Sequence, residues 1–203
     1  MGYSGTGKDT LSREVLKKLD NVHMLVSHTT RPMRPSEQEG REYHFIDGAT
    51  FLKMKEYNAF AETREYHTKV EKNGEIVDDT WRYGMSYDEI NKYNYSIFIV
   101  DYQGFKEIRE KYGKNVVTPI YINVQLEQLK ERAMKRGDLE AEIDRRLADD
   151  QAKFKEFRVK VVYNKIDNSN GRFEQAVEEL RHLIQGIIED EERVRENCKR
   201  KKK

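Results

Sequence analysis

The sequence predicts an α/β fold, a parallel sheet layered between helices, and three observations carry that prediction. A glycine-rich turn, Gly2-Tyr3-Ser4-Gly5-Thr6-Gly7-Lys8-Asp9-Thr10, leads straight into a helical pattern. That pattern, with Leu11, Val15, Leu16 and Leu19 at helical spacing, ends at Asp20-Asn21 and is followed by a short apolar strand, His23 to Ser27. Further apolar strands then alternate with helices along the chain, at Tyr95 to Val100, Val116 to Val124 and Lys160 to Tyr163, the last ending at Asn164.

The glycines let backbone N–H groups turn inward around an anion, Lys8 brings a point charge for the outer phosphates of a nucleotide, and the helix starting near Asp9 aims its positive dipole end at the same place. Gly2, Ser4, Gly5, Thr6, Gly7, Lys8, Asp9 and Thr10 are therefore candidate nucleotide-binding residues; a plain glycine turn is the structural alternative. After Lys8, where a hydroxyl normally holds Mg²⁺, stands Asp9, a hard oxygen ligand with Thr10 beside it. Such a loop normally follows a buried strand, and no residues precede Met1 here to form one. The expectation is a sheet without its usual first strand; a start placed inside a longer reading frame, with weak or absent activity, is one reading of that.

A chain of 203 residues suits one compact domain with a small inserted module. Charged residues make up 37% yet balance to +1, so no global basic field points to nucleic acid, and the substrate should be small. The one cysteine, Cys198, excludes an internal disulfide and fits a reducing cytosol. No apolar run approaches a membrane span and no signal peptide precedes the loop. The expectation is a cytoplasmic protein, monomer or homodimer, that acts on small molecules and binds neither nucleic acid nor membrane.

Between Ser27 and Pro35, prolines 32 and 35 bias Arg31 and Arg34 toward extended backbone, presenting two guanidinium forks for an anion; a solvated charged loop is the alternative. Gly40 to Ile46 reads as a strand, Thr50 to Tyr57 as a short helix, and Asn73-Gly74 as the turn of a hairpin between Lys69-Val70-Glu71 and Glu75-Ile76-Val77. Trp81 to Ser86 returns the chain to a helix near Asp88 to Tyr93, so residues 31–90 read as an inserted α+β module. Asp101, at the C-terminal end of its strand, faces either the ligand, through Mg²⁺-bound water or the acceptor, or else caps the following helix. Leu126 to Arg136 and a helix from Glu140 bring Arg132, Arg136, Arg145 and Arg146 around Gly137-Asp138, a lid over a polyphosphate (132–146) or two solvated helix faces with acidic neighbours Glu131, Glu142 and Asp144. A final helix runs from Phe173 through Ile188, and the charged tail 189–203 is expected to fray.

The series of the loop, Ser27-x-Thr29-Thr30-Arg31-x-x-Arg34, Gly40-x-x-Tyr43-x-Phe45, Glu62, Tyr83-Gly84, Asp101-x-Gln103-Gly104, Arg132-x3-Arg136-Gly137 and Arg146-Leu147 resembles guanylate kinase along nearly the whole chain. The resemblance implies a P-loop three-layer fold and an ATP- and Mg²⁺-dependent nucleoside monophosphate kinase, with GMP or dGMP as acceptor. It implies that Ser27, Arg31, Arg34, Tyr43 and Tyr83 hold the acceptor phosphate, and that Glu62 accepts from guanine N1 and N2. Lys8, Arg132, Arg136 and Arg146 would act on the transferring phosphates, Asn164 would lie near the adenine, and Asp9, Thr10 and Asp101 would serve the metal. The chain departs from the family at Met85, where Ser or Thr usually contacts the guanine oxygen and only Ser86 can substitute, at Ile99, at Asp9, and in a longer connection from Tyr66 to Arg82. The rival readings are a P-loop kinase for another small phosphate ester and a non-catalytic guanylate-kinase-like binding module.

Overall fold

A computed structural model describes residues 1–72, 75–135, 137 and 140–200. In chain order the elements are α1 (Lys8–Leu16), β1 (Val22–Met24), β2 (His28–Thr29), β3 (His44–Phe45), α2 (Gly48–Glu56), β4 (Phe60–Lys72), β5 (Glu75–Ser86), α3 (Tyr87–Ile90), β6 (Tyr95–Ile97), α4 (Tyr102–Tyr112), β7 (Ile120–Asn123), α5 (Leu126–Lys135), α6 (Glu140–Lys160), β8 (Asn164–Asp167) and α7 (Phe173–Arg200). They form a mixed α/β structure of two compact units, one of Met1–Met24 with Thr118–Lys203, the other of Leu25–Val117.

In the first unit β7 and β8 pair in parallel, Ile120 opposite Asn164 and Asn123 opposite Asp167. On the other edge of β7, the Met1 amino group donates to Ile120 O at 2.7 Å and the Ile122 N–H donates to Met1 O at 2.7 Å. That is the bonding of a parallel neighbour, in the place where the sequence leads one to expect a strand before the loop. Gly2 follows so closely that a Cβ there would lie 2.4 Å from Ile122 O. Around β7 the rings of Tyr3, Tyr121, Phe154, Phe157 and Tyr163 form one aromatic cluster, Phe154 and Phe157 each under 6 Å from Tyr121 by ring centroid. Leu11 and Val15 of α1 and Ala176, Val177, Leu180 and Ile184 of α7 are buried where those two helices meet.

The expected strand Lys160 to Tyr163 is not a strand. Lys160 closes α6, the Val161 N–H continues the helical bonding to Phe157 O, and Val162 is 92% exposed. The strand lies next along the chain, where Ile166 is buried. The other expected strands shorten in the same way: 23–27 becomes 22–24, 116–124 becomes 120–123, and in the second unit 95–100 becomes 95–97 and 40–46 becomes 44–45 with a bridge from Glu39 to Tyr43. The first helix starts at Lys8 and stops at Leu16 rather than Leu19. The last helix does not end at Ile188: α7 continues to Arg200, laced by Asp190–Arg193, Glu191–Arg195 and Glu196–Arg200 pairs one helical turn apart.

The second unit holds a sheet of order β3-β2-β5-β4, with β2 and β3 parallel and the other pairs antiparallel. β4 and β5 form the expected hairpin, but a longer one, paired from Phe60 opposite Ser86 to Lys72 opposite Glu75; the turn residues Asn73 and Gly74 lie outside the described residues. The expected helix at 88–93 is a single turn, α3, whose N-cap Ser86 accepts from the Glu89 N–H. The core gathers Phe51 stacked on Phe60 at 4.7 Å with Met85, Val100 and Phe105 buried, and α4 packs on β4. Among the described residues no helix is long and apolar enough to cross a membrane.

Candidate active site

The phosphate loop folds as its glycines require. Gly7 is the N-cap of α1 with φ 76°, a left-handed conformation, and no side chain caps the helix. The first N–H groups of α1 are thus left for an anion. Thr6 is buried, and Tyr3 O gathers the Thr6 Oγ1–H at 2.9 Å and the Lys8 Nζ–H at 3.0 Å, which closes the loop on itself. Burial pushes the Lys8 ammonium below its ordinary pKa, and Asp9 and Asp150 oppose that shift. Asp9 and Thr10 stand exposed on the first turn of α1.

Two residues that the sequence reading does not single out shape this loop. Asp150, on α6, accepts the Ser4 N–H at 2.6 Å, so a carboxylate sits on one of the loop donors. Burial raises its pKa, against the Ser4 hydrogen bond and the charge of Lys8. Asn168, just past β8, donates from Nδ2 to Thr6 O at 2.8 Å, and a Cβ on Gly7 would lie 2.9 Å from that nitrogen. Its backbone carbonyl accepts from Arg132 Nη2 at 2.8 Å, and Asn170 Oδ1 accepts from Arg132 Nε and Nη2. Asn168 therefore joins the loop to the arginine of α5. Asn164, by contrast, lies in β8 with its N–H on Pro119 O.

Of the expected lid, Arg132 is tied as described, Arg145 pairs with Asp149 at 2.8 Å, and Arg136 and Asp138 lie outside the described residues. Lys135–Glu131 and Lys130–Asp144 pairs join solvent-facing side chains of α5 and α6. Arg146 lies on α6, one residue before buried Leu147.

The residues expected on the acceptor side gather within the second unit. Arg31 is buried, donating to Glu37 Oε1 at 2.6 Å and to Pro32 O at 2.7 Å, with its guanidinium 5.5 Å from the Tyr43 ring centre. Tyr43 and Tyr83 meet edge to face at 5.6 Å, and Tyr83 meets Tyr66 at 5.5 Å. The Arg34 N–H donates to Glu37 Oε2, so Glu37 holds both arginine positions. Ser27 is buried, its carbonyl accepting from the His44 N–H.

Glu62, Arg64 and Tyr66 project from the same face of β4, since side chains alternate along a strand. Arg64 donates from Nε and Nη2 to the two Glu62 oxygens at 2.8 and 3.1 Å, and Glu62 is 1% exposed. Burial pushes the Glu62 carboxyl up, and Arg64 offsets part of this; burial disfavours the Arg64 charge in turn, but Glu62 and Asp101 outweigh it and hold the guanidinium protonated. Asp101 accepts the Gly104 N–H at 3.0 Å, capping α4, and the Tyr66 O–H at 2.8 Å. Of the two roles anticipated for it, the helix cap is present, and the same carboxylate also holds the Tyr66 hydroxyl. Gly104 leaves room for Glu62: a Cβ there would lie 2.9 Å from Glu62 Oε2.

The family model for guanylate kinase matches residues 1–186. A guanylate kinase of Legionella pneumophila (strain Paris) is 35% identical over 189 residues, 89% of this chain and 81% of that protein. One of Coxiella burnetii is 33% identical over 89% of this chain and 82% of its own. In fold, the chain resembles the crystal structure of guanylate kinase from Anaplasma phagocytophilum, with a TM-score of 0.58 at 22% identity over 91% of this chain and 82% of that one. A loop built for phosphates, an arginine–tyrosine cluster on a separate unit and a family match along nearly the full length lead to one conclusion: the chain belongs to the guanylate kinase family.

Proposed function

We propose that this protein transfers the γ-phosphoryl group of ATP to a guanine nucleoside monophosphate, GMP or dGMP, giving the diphosphate and ADP. The observation that carries the reading is the phosphate loop, with an uncapped helix N-terminus and Lys8 folded into it. The acceptor phosphate is already an anion near neutral pH, so catalysis rests on positioning and charge stabilisation and needs no strong base.

Gly2, Ser4, Gly5, Thr6 and Gly7 bind the donor phosphates through their backbone, and Lys8 reaches the outer ones. Arg132, Arg136 and Arg146 act from the lid. Asn164 belongs to the donor side by resemblance only. On the acceptor side Ser27, Arg31, Arg34, Tyr43 and Tyr83 hold the phosphate, while Glu62, Ser86 and Asp101 face the nucleoside. Ser86 keeps this role beside its capping of α3.

Mg²⁺ fits the donor set. Among the described residues no group of three or more His, Cys, Asp or Glu forms a cage, and a Mg²⁺ site of the kind that keeps several waters would need only one or two carboxylates. Asp9 and Thr10 would hold it, and it would supply charge neutralisation for the transferring phosphates. Asp101, engaged by Tyr66 and Gly104, acts on the metal through water at most. The layering of the parallel sheet between helices, supported by β7 between β8 and Met1, is part of the same proposal, as are a cytoplasmic location and a monomer or homodimer.

An acceptor panel tests this reading: GMP, dGMP, AMP, CMP and UMP with Mg-ATP. Turnover confined to GMP and dGMP is expected; turnover on another acceptor would keep the phosphate chemistry and overturn the substrate.

A further inference from the structure

We infer that Arg64 is a specificity-determining residue for the acceptor, a half-buried guanidinium whose fixed orientation donates to the 6-oxo oxygen of the base. The inference rests on the reading above that the acceptor is a guanine nucleotide.

The Watson–Crick edge of guanine mixes both hydrogen-bonding roles: N1–H and the 2-amino group donate, and O6 accepts. Carboxylates can meet only the donors. Around this part of β4 the side chains with hydrogen-bonding capacity include the buried Glu62 and the half-buried Asp101, both acceptors when ionised. Directly across the hairpin from Glu62 stands Met85, fully buried, whose thioether donates nothing. Ser86 beside it accepts from the Glu89 N–H in capping α3 and keeps one neutral hydroxyl donor. Arg64 supplies what the set lacks, a charged donor fixed in place.

Its fixing is specific. Nε and Nη2 lie on the two Glu62 oxygens as a fork, while Nη1 lies 3.7 Å from Asp101 Oδ1, beyond hydrogen-bond length. The guanidinium is thus oriented from one edge by Glu62, and Nη1 faces the same carboxylate that holds Tyr66 and caps α4. An ion pair to a buried carboxylate stabilises a fold weakly, because desolvation offsets the attraction, but it fixes a donor geometry that lysine cannot reproduce. An oxo group meeting Nη1 gains a charge-assisted hydrogen bond; a 6-amino group brings its own N–H donors against the cation. The same residue therefore favours a 6-oxo purine and excludes adenine.

The test compares GMP with two acceptors that each change one group: 6-thio-GMP, in which sulfur replaces O6 while N1–H and the amino group stay, and IMP, which keeps O6 and lacks the amino group. For the unaltered protein, kcat/KM should favour GMP over 6-thio-GMP. In Arg64→Gln the GMP KM should rise by roughly 10- to 100-fold with kcat largely kept, and the GMP/6-thio-GMP ratio should fall toward one, while the GMP/IMP ratio stays unchanged. Calorimetric binding of GMP should weaken by the same factor. If Arg64→Gln fails to fold, as judged by its melting transition, Arg64→Lys carries the test: charge is retained, the fork is lost, and the 6-thio ratio should narrow.

A uniform loss on all three acceptors, or an unchanged 6-thio ratio, overturns the inference and makes Arg64 only a support for Glu62. Those results leave the kinase reading standing. If the unaltered protein neither binds nor phosphorylates any of the three, the kinase reading falls and this inference with it.

Discussion

Removing the Asp150 carboxylate should tighten nucleotide binding. Asp150 Oδ2 lies 2.6 Å from Ser4 N, on a loop donor that a phosphate oxygen would otherwise use. An incoming phosphate must displace a hydrogen bond to a charged acceptor, worth about 1.5–3 kcal/mol. If the carboxylate stays nearby, two like charges about 5 Å apart repel by roughly 3 kcal/mol at an effective dielectric near 20. Either route predicts that Asp150→Ala lowers the Kd for Mg-ATP by on the order of 10- to 100-fold. Asp150→Asn, which still accepts the Ser4 N–H without charge, should fall between. The assay is calorimetric binding of Mg-ATP to the three proteins at one ionic strength, with a thermal melt for each to establish folding. An Asp150→Ala protein that folds and binds Mg-ATP no better, or worse, would falsify the argument and make Asp150 part of the donor site.

Three other outcomes follow from the geometry. Gly104→Ala places a Cβ 2.5 Å from Val100 Cγ2 and 2.9 Å from Glu62 Oε2, so it should cost about 1–3 kcal/mol in a denaturant titration and raise the acceptor KM, despite the better helix propensity of alanine. Asn168→Ala removes the donor to Thr6 O and should cost about 1–3 kcal/mol while raising the ATP KM and sparing the GMP KM; equal changes in both would contradict the local role. For Glu37, burial alone would raise the pKa, but Arg31 and the Arg34 N–H hold it below its ordinary 4.5. A depressed carboxyl stabilises the fold above its unfolded pKa and loses that contribution as pH falls through the folded value. The Tm advantage of the unaltered protein over Glu37→Gln should therefore be full above about pH 4.5 and vanish in more acid buffer; an advantage that persists there points to packing instead.

The phosphate loop is legible in the sequence because its determinants are local: glycines, lysine and the following helix act within a few residues. The hairpin is legible for the same reason, its two flanks meeting in register as the Asn-Gly signal implies. Asp101 illustrates a reading that stays open from sequence, since a cap and a ligand-facing carboxylate require the same residue at the same strand end, and here the cap bond to Gly104 coexists with the Tyr66 contact. What escapes is tertiary. Asp150 meets Ser4 across 146 positions and Asn168 meets Thr6 across 162, and no periodicity encodes either contact. The misplaced strand has a clear cause: Lys160-Val161-Val162-Tyr163 is more apolar than Asn164-Lys165-Ile166-Asp167, yet α6 already extends to Lys160, Val162 is exposed, and only Ile166 is buried in the later segment. Arg64 is readable in principle, two residues beyond Glu62 in a strand and hence on its face, once the strand is known to continue that far.

Phosphoryl transfer from Mg-ATP to GMP, measured as ADP and GDP formed together by the unaltered protein and by Lys8→Ala, tests the central claim most directly. The account predicts stoichiometric ADP and GDP from the unaltered protein, and a loss of about 10³-fold or more in Lys8→Ala with folding retained, the scale set by charge stabilisation in phosphoryl transfer. Equal turnover by the two proteins, or ADP formed without GDP, would contradict it.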